Sequence, residues 1–314
     1  MMNRRAMIGS MGAATFMGSV TVAIGQEKHY IPLISKGFSH QFWQAVKLGS
    51  EKAAAEFGVD VTFEGPDNEG QVDRQIDMLA AALSKNPAAI GFAAVDSQAS
   101  IPMIREIDAA GVPIIAFDSG VASDIPVTTC TTDNLASAAL AADEMAKAIG
   151  GAGKVAVISH DQTSVTGIER VDGFVNQVAA KYPDIEIVSI QYGGGDHLIS
   201  TEITKSILTA NPDIKGIFGA NEGSAIGVVN GVTEAGSDIV IIGYDSGAAQ
   251  KAAVRSGVMT GAITQNPVGI GYETVKAAVD TIAGKTVPKV IDTGFFYYNA
   301  DNMDDANIAA VLYD

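Results

Sequence analysis

The chain has 314 residues, 47% of them hydrophobic, with a formal net charge of −16 at pH 7. That length and apolar content suit one large or two medium domains with a substantial core. The charge excludes a nucleic-acid partner, whose phosphates would repel it. It also argues against docking on anionic lipid and favours a soluble, self-repelling monomer.

The first 25 residues read as an export signal, not as part of the fold. Arg4 and Arg5 form a positive n-region, and residues 7–24 are apolar and small. Ala23-Ile24-Gly25 then puts small residues where a signal peptidase acts, which predicts cleavage before Gln26 and an exported protein. No Cys stands at that junction to take a lipid anchor, and Asn3-Arg4-Arg5 loosely resembles a twin-arginine signal. Removing this segment takes away two arginines and no acid, leaving 18 basic against 36 acidic side chains. No later stretch is long and apolar enough to span a membrane as a helix.

From residue 30, short β-rich runs alternate with Ala-rich helical patterns. Strands are predicted over residues 30–34, 59–63, 89–94 and 113–117, and helices over 42–57, 73–84 and 101–110. Phe42, Val46, Ala53 and Phe57 set the spacing of the first helix, and Ile76, Leu79, Ala80 and Leu83 that of the second. Residues 127–132 are mostly β-branched and read as a further strand. Within it lies Cys130, the single cysteine, so no intrachain disulfide can form; it reads as a small buried apolar residue. After Asp133 the alternation restarts, with strands over 155–159, 185–191, 216–219, 240–243 and 260–264. Strict alternation implies parallel sheets covered on both faces by helices.

The two halves echo each other. Pro113-Ile114-Ile115-Ala116-Phe117-Asp118-Ser119-Gly120 resembles Val240-Ile241-Ile242-Gly243-Tyr244-Asp245-Ser246-Gly247. Upstream, Asn86-Pro87 and Asn211-Pro212 follow similar helix ends; Asn86 precedes Asp118 by 32 residues and Asn211 precedes Asp245 by 34. Two similar lobes are therefore expected. Open α/β sheets bind ligands at the carboxyl ends of their strands, so facing lobes would bring Asp118 and Asp245 into one cleft. The alternative is that each Asp only caps its own Asp-Ser-Gly turn.

Enzyme motifs are missing. No Gly-x-Gly-x-x-Gly follows a strand, Gly193-Gly194-Gly195 lacks the Lys-Ser/Thr of a phosphate loop, and no Gly-x-Ser-x-Gly elbow occurs. His29, His40, His160 and His197 have no metal-ligand spacing, so neither metal nor cofactor is expected. Asp118 and Asp245 also fit a glycosidase acid–base pair, which stays open as an alternative. The remaining polar residues suit a sugar, which needs flat aromatic walls and side chains that donate and accept together. Phe42-Trp43 supplies adjacent rings after the first strand. Arg170, Asn221, Glu222 and Gln265 stand at or just past strand ends.

Six motifs then fall in order: the loop and aromatic pair over residues 35–43, Phe117-Asp118, Arg170-Val171-Asp172-Gly173-Phe174, Ala220-Asn221-Glu222, Gly243-Tyr244-Asp245 and Gln265-Asn266-Pro267. This set resembles the periplasmic sugar-binding proteins of the ribose and galactose type, the solute receptors of ABC importers. The resemblance implies two similar Rossmann-like α/β lobes with parallel sheets, a three-segment hinge and a ligand cleft between them. It implies lobes of residues 26–132 plus 266–292 and of 133–265 plus 293–314. It implies a binding protein and no enzyme, with an inner-membrane ABC permease as partner and a chemoreceptor as a compatible second one. Phe42 and Trp43 would sandwich the sugar ring. Asp118, Arg170, Asn221, Asp245 and Gln265 would bond its hydroxyls, with His40, Ser119 and Tyr244 beside them. Charge-assisted bonds contribute about 1.5–3 kcal/mol each, enough for micromolar affinity after the cost of association.

Three departures separate the chain from ribose receptors. Ser119 stands where they have Arg, His40 where they have Asn, and no aromatic lies near Gly195. A different pentose, a hexose or a polyol is therefore expected, with Asp161, Gln162 and Asp196 as further candidate contacts. A regulator of the lactose-repressor kind shares the fold but needs an N-terminal DNA-binding helix-turn-helix, where this sequence has an export signal.

Overall fold

The computed structural model describes residues 28–314, so the export-signal reading of residues 1–25 falls outside the described residues. Two six-stranded sheets organise the chain. The first holds β1 (Tyr30–Ile34), β2 (Asp60–Glu64), β3 (Ile90–Phe92), β4 (Ile114–Phe117), β5 (Thr128–Thr131) and β11 (Val290–Asp292), all parallel, in the order β11-β5-β4-β3-β1-β2. The second holds β6 (Gly153–Ser159), β7 (Ile185–Tyr192), β8 (Ile214–Gly219), β9 (Val240–Tyr244), β10 (Gly261–Gln265) and β12 (Phe295–Tyr298), in the order β12-β10-β9-β8-β6-β7.

Without β11 and β12 the two orders are the same, so the echo in sequence is a repeat of topology. Strands β4 and β9 are equivalent, and they end at Asp118 and Asp245. The repeat is not perfect: Asn86 takes φ 51°, whereas Asn211 has φ −132°. The all-parallel expectation also needs correcting, because β12 runs antiparallel to β10 at the edge of the second sheet. Neither β11 nor β12 is predicted from sequence. β11 has only three residues and alternates weakly, and β12 is an edge whose pairing follows from the chain's return across the molecule.

Helices α1 (Gln41–Phe57), α2 (Val72–Leu83), α3 (Ile101–Ala109) and α9 (Pro267–Ile282) pack on the first sheet. The second sheet carries α4 (Asn134–Ile149), α5 (Val165–Lys181), α6 (His197–Ala210), α7 (Glu222–Ala235) and α8 (Ala248–Arg255), with α10 (Ala306–Ala309) near the end of the chain. Side-chain oxygens of Asp133, Ser164, Asp196, Asn221 and Asn266 cap α4, α5, α6, α7 and α9, satisfying amides that have no partner inside the helix. The chain passes between the sheets after β5, β10 and β11. The three passages are tied together: Thr132 Oγ1 donates to Gln265 Oε1 at 2.8 Å, Thr293 N to the Thr131 carbonyl at 2.9 Å and Asn266 Nδ2 to the Thr293 carbonyl at 3.3 Å.

Cys130 is fully buried, and burial pushes its thiol up to about 12. Helices α1 and α9 cross with their backbones touching. A Cβ on Gly271 would lie 1.9 Å from the Val46 carbonyl oxygen, and one on Gly49 would lie 2.0 Å from that of Val268. Gly271→Ala must push these helices apart. It is expected to cost about 1–3 kcal/mol, the usual range for an overpacked core, read as a lower melting temperature; an unchanged melting temperature would contradict the close crossing.

Candidate functional site

The carboxyl ends of the two sheets face each other across a tight polar cavity with room for about 10 Å³, on the order of one water. His40, Phe42, Trp43 and Asp118 line it from the first sheet's side. Arg170, Asn221, Asp245 and Gln265 line it from the other side and the hinge. These eight sequence-predicted residues come together. Ser119 and Tyr244 do not reach the wall: Ser119 is buried behind it, and the Tyr244 ring lies beneath Arg170.

Asp118 and Asp245 share a backbone device. Both take positive φ, 53° and 80°, a left-handed conformation that Asp tolerates better than most residues. Neither carboxylate caps its own turn. The Asp245 carboxylate accepts from Gln265 Nε2 at 2.8 Å and from the Glu222 backbone N–H at 2.9 Å. That of Asp118 has no hydrogen-bond partner among the described residues although the residue is only 3% exposed. Burial, offset in part by the charges of Lys36 and Arg170, pushes Asp118 up to about 6.

Arg170 is fixed as a flat plate. Its guanidinium lies 3.8 Å from the Tyr244 ring centroid, Nε donates to Asn134 Oδ1 at 2.9 Å and Nη1 to the Ala220 carbonyl at 3.1 Å. The Tyr244 hydroxyl bonds Ser137 Oγ at 2.8 Å, so Tyr244 serves as the support under Arg170. Asn221 spends its side-chain oxygen on the Ser224 amide at 2.9 Å, which leaves Nδ2 to donate into the cavity. Both polar atoms of Gln265 are taken, by Thr132 and Asp245, so it braces the hinge against the site.

The aromatic pair departs from a sandwich. Phe42 and Trp43 meet edge to face, 4.9 Å between centroids at 80°. That contact leaves no gap for a sugar between them, so they form one continuous wall. Trp43 Nε1 donates to Glu69 Oε1 at 2.8 Å. His40 bridges the cavity's mouth: Nε2 lies 2.9 Å from the Gly195 carbonyl oxygen and Nδ1 3.3 Å from Glu69 Oε1. Burial opposes a charge on His40, but the Glu69 carboxylate outweighs it and raises the imidazole to about 9. Burial likewise works against the Glu69 charge, yet Lys36 and His40 hold its carboxyl well below the usual range. A side chain at Gly195, where φ is 70°, would strain the backbone and press on its neighbours, since an added Cβ would already lie 3.2 Å from Glu69 Oε2 and 3.3 Å from His40 Cε1.

The sequence reading missed Lys36, Glu69 and His160, which also line the cavity. Lys36 and Glu69 follow β1 and β2, so the strand-end rule that found Asp118 applies to them as well. Asp161 accepts from the Thr163 and Ser164 amides and Asp196 from those of Leu198 and Ile199; Gln162 is exposed. None of the three reaches the cavity wall, because each is spent on a turn or on solvent. A groove of about 810 Å³ between β7 and α6 is larger, but it is open and carries no converging charges.

Known proteins share this architecture. The periplasmic binding protein domain family matches residues 31–286. The D-allose-binding periplasmic protein of Escherichia coli K12 is 28% identical over 267 residues, 82% of this chain and 86% of that protein. An ABC transporter solute-binding protein from Agrobacterium vitis with bound D-fucose superposes at a TM-score of 0.88 with 31% identity, over 90% of this chain and 100% of that one. A carbohydrate transporter solute-binding protein from Agrobacterium radiobacter in complex with D-arabinose does so at 0.87 with 33% identity, over 91% and 99%. The family match covers most of the chain, and the solved relatives share its two-lobed α/β fold; the chain belongs to the periplasmic binding protein domain family.

Proposed function

We propose that this protein is the solute-binding component of an ABC importer and captures one uncharged monosaccharide or sugar alcohol. The observation that carries the reading is the charge balance of the closed cavity. Lys36, His40 and Arg170 face Glu69, Asp118 and Asp245, three cations against three anions. A charged ligand would leave one buried charge uncompensated, which is costly. A polyhydroxylated one gives donors to Asp118 and acceptors to Arg170 and Asn221 and lays a CH face on the Phe42–Trp43 wall.

The lobes of this reading are residues 26–132 plus 266–292 and 133–265 plus 293–314, after removal of an export signal that delivers a monomer to the periplasm. An inner-membrane permease reads the closed form, and a chemoreceptor can read the same state. No catalysis is proposed. Asp245 is held by Gln265 and the Glu222 amide, as suits a positioning carboxylate more than a proton carrier.

The test is a thermal-shift screen of the mature protein against D-allose, D-ribose, D-fucose, D-arabinose, D-tagatose and the common alditols. Binding to the native state alone raises the melting temperature by mass action. A rise of several degrees with one or a few of these compounds is expected. No shift with any sugar or alditol overturns the proposal.

A further inference from the structure

A buried hydrogen-bond chain runs from one lobe to the other. Lys36 follows β1, His160 follows β6, and Thr166 lies in the first turn of α5. All three are at most 3% exposed. Lys36 Nζ donates to Thr166 Oγ1 at 3.0 Å, and Thr166 Oγ1 lies 3.1 Å from His160 Nε2. An ammonium only donates, so the Thr166 oxygen accepts and its own hydrogen must go elsewhere. Two acceptors are in reach, His160 Nε2 and Ser164 Oγ at 3.3 Å. Ser164 Oγ already accepts from the Gly167 amide at 3.0 Å and donates to Asp161 Oδ2 at 2.9 Å. His160 Nε2 also lies 3.3 Å from Ser164 Oγ and 3.6 Å from Asp161 Oδ2, whose acceptor capacity the Ser164 hydroxyl and the Thr163 and Ser164 amides already draw on; the Thr166 hydrogen is assigned to His160 Nε2, the shorter of its two contacts.

The ring's other nitrogen follows from this. Burial, reinforced by the nearby Lys36 charge, lowers the His160 pKa and keeps the imidazole neutral. A neutral imidazole that accepts at Nε2 carries its proton on Nδ1. Nδ1 is buried without a hydrogen-bond partner among the described residues, and His160 stands on the cavity wall. Native proteins rarely leave such an atom unsatisfied.

We propose that His160 donates a hydrogen bond from Nδ1 to an oxygen of the bound solute, in a tautomer that Lys36 imposes through Thr166 when the lobes meet. This rests on the sugar-binding reading and narrows it. The solute must present a lone pair there from a ring, hydroxyl or carbonyl oxygen. The donor is set only in the closed state, because Lys36 and Thr166 belong to opposite lobes. A solute lacking that oxygen closes the protein onto an unpaired N–H and is discriminated against.

The experiment uses the mature protein labelled with ¹⁵N-histidine and saturated in turn with each screened sugar or alditol that binds. Long-range ¹H–¹⁵N spectra report which ring nitrogen is protonated. Nδ1 of His160 is expected to be protonated and Nε2 not. Thr166→Val touches no part of the cavity wall, yet it is expected to abolish the single tautomer and weaken binding by about tenfold, the size of one lost hydrogen bond. His160→Asn keeps a donor near the Nδ1 position and is expected to bind more tightly than the similarly shaped His160→Leu. An unprotonated Nδ1 in the complex, or equal binding by the Asn and Leu variants, overturns this inference and leaves the sugar-binding reading intact. Failure of the parent protein to bind any of these compounds overturns both.

Discussion

Asp118→Asn is expected to weaken sugar binding by about a hundredfold or more while leaving the ligand-free protein at least as stable as its parent. Among the described residues the Asp118 carboxylate is the one site anion with no hydrogen-bond partner for either oxygen, and it is nearly inaccessible. Its charge is therefore held at a cost, which shows in a pKa pushed up to about 6 by burial. Two donors from a sugar would remove that cost, and charge-assisted bonds contribute about 1.5–3 kcal/mol each. Losing two of them corresponds to at least two decades in Kd. Asn is the informative replacement because, like Asp, it tolerates the left-handed φ of 53° found here; Ala would add backbone strain to the result. Calorimetric titration and a thermal melt of each protein read the two effects separately. Unchanged affinity would remove Asp118 from the site.

The same group sets a pH dependence. Between about 4 and 6 the folded, empty protein keeps a proton on Asp118 that the unfolded chain has released. This group's destabilising effect therefore grows as pH rises through that window and is relieved on acidification. Sugar donors favour the ionised form and lower its pKa. Binding near pH 6 should then release protons, and affinity should fall by up to about tenfold per pH unit below pH 6 and level off above pH 7. Titrations in buffers of different ionisation enthalpy measure that release. Proton uptake in its place would assign Asp118 a donor's role.

How much of this was legible in the sequence depends on how local each signal is. Strands β4 and β9 announce themselves by continuous apolar runs ending in Asp-Ser-Gly, and their equivalence in the topology follows from the echo. Strands β11 and β12 did not, because their pairing is decided by partners more than 150 and about 35 residues away along the chain. Among site residues, Asp118, Arg170 and Asn221 sit in motifs with fixed spacing. Glu69 lies in Asp67-Asn68-Glu69, which reads as a solvated acidic loop until Lys36, His40 and Trp43 are seen converging on it. His160 looks like a lone histidine, and only Lys36, 124 positions earlier, gives its tautomer a meaning. The aromatic sandwich failed for a related reason. Adjacent helix positions diverge by about 100°, but only the fold shows the two rings in contact with each other.

Glu222→Ala is expected to weaken every bound sugar by the same factor, about ten- to a hundredfold, although Glu222 is not on the cavity wall. Helix α1 carries the aromatic pair, yet its N-terminus lacks a cap of its own: His40 makes no side-chain capping bond, and the first turn holds no acid. The cap comes from the other lobe. Glu222 Oε1 accepts from the Gln41 amide at 2.9 Å and Oε2 from that of Phe42 at 3.0 Å. The exchange is reciprocal, because Gln41 Oε1 accepts from the Ala248 amide at 2.8 Å, at the start of α8. Each lobe thus caps a helix of the other, and opening the cleft breaks both caps. Water replaces part of that energy in the open form, so the latch should favour closure by about 1–3 kcal/mol. A term that acts on closure alone scales all affinities together, because it shifts a population without touching the solute. Asp118→Asn, by contrast, should reorder the preference among sugars, since each presents different hydroxyls to that carboxylate. Comparing the two variants across several sugars separates a latch from a contact. A selective loss in Glu222→Ala would mean that Glu222 reads the solute directly, and no loss would mean that the cross-lobe caps do not govern closure.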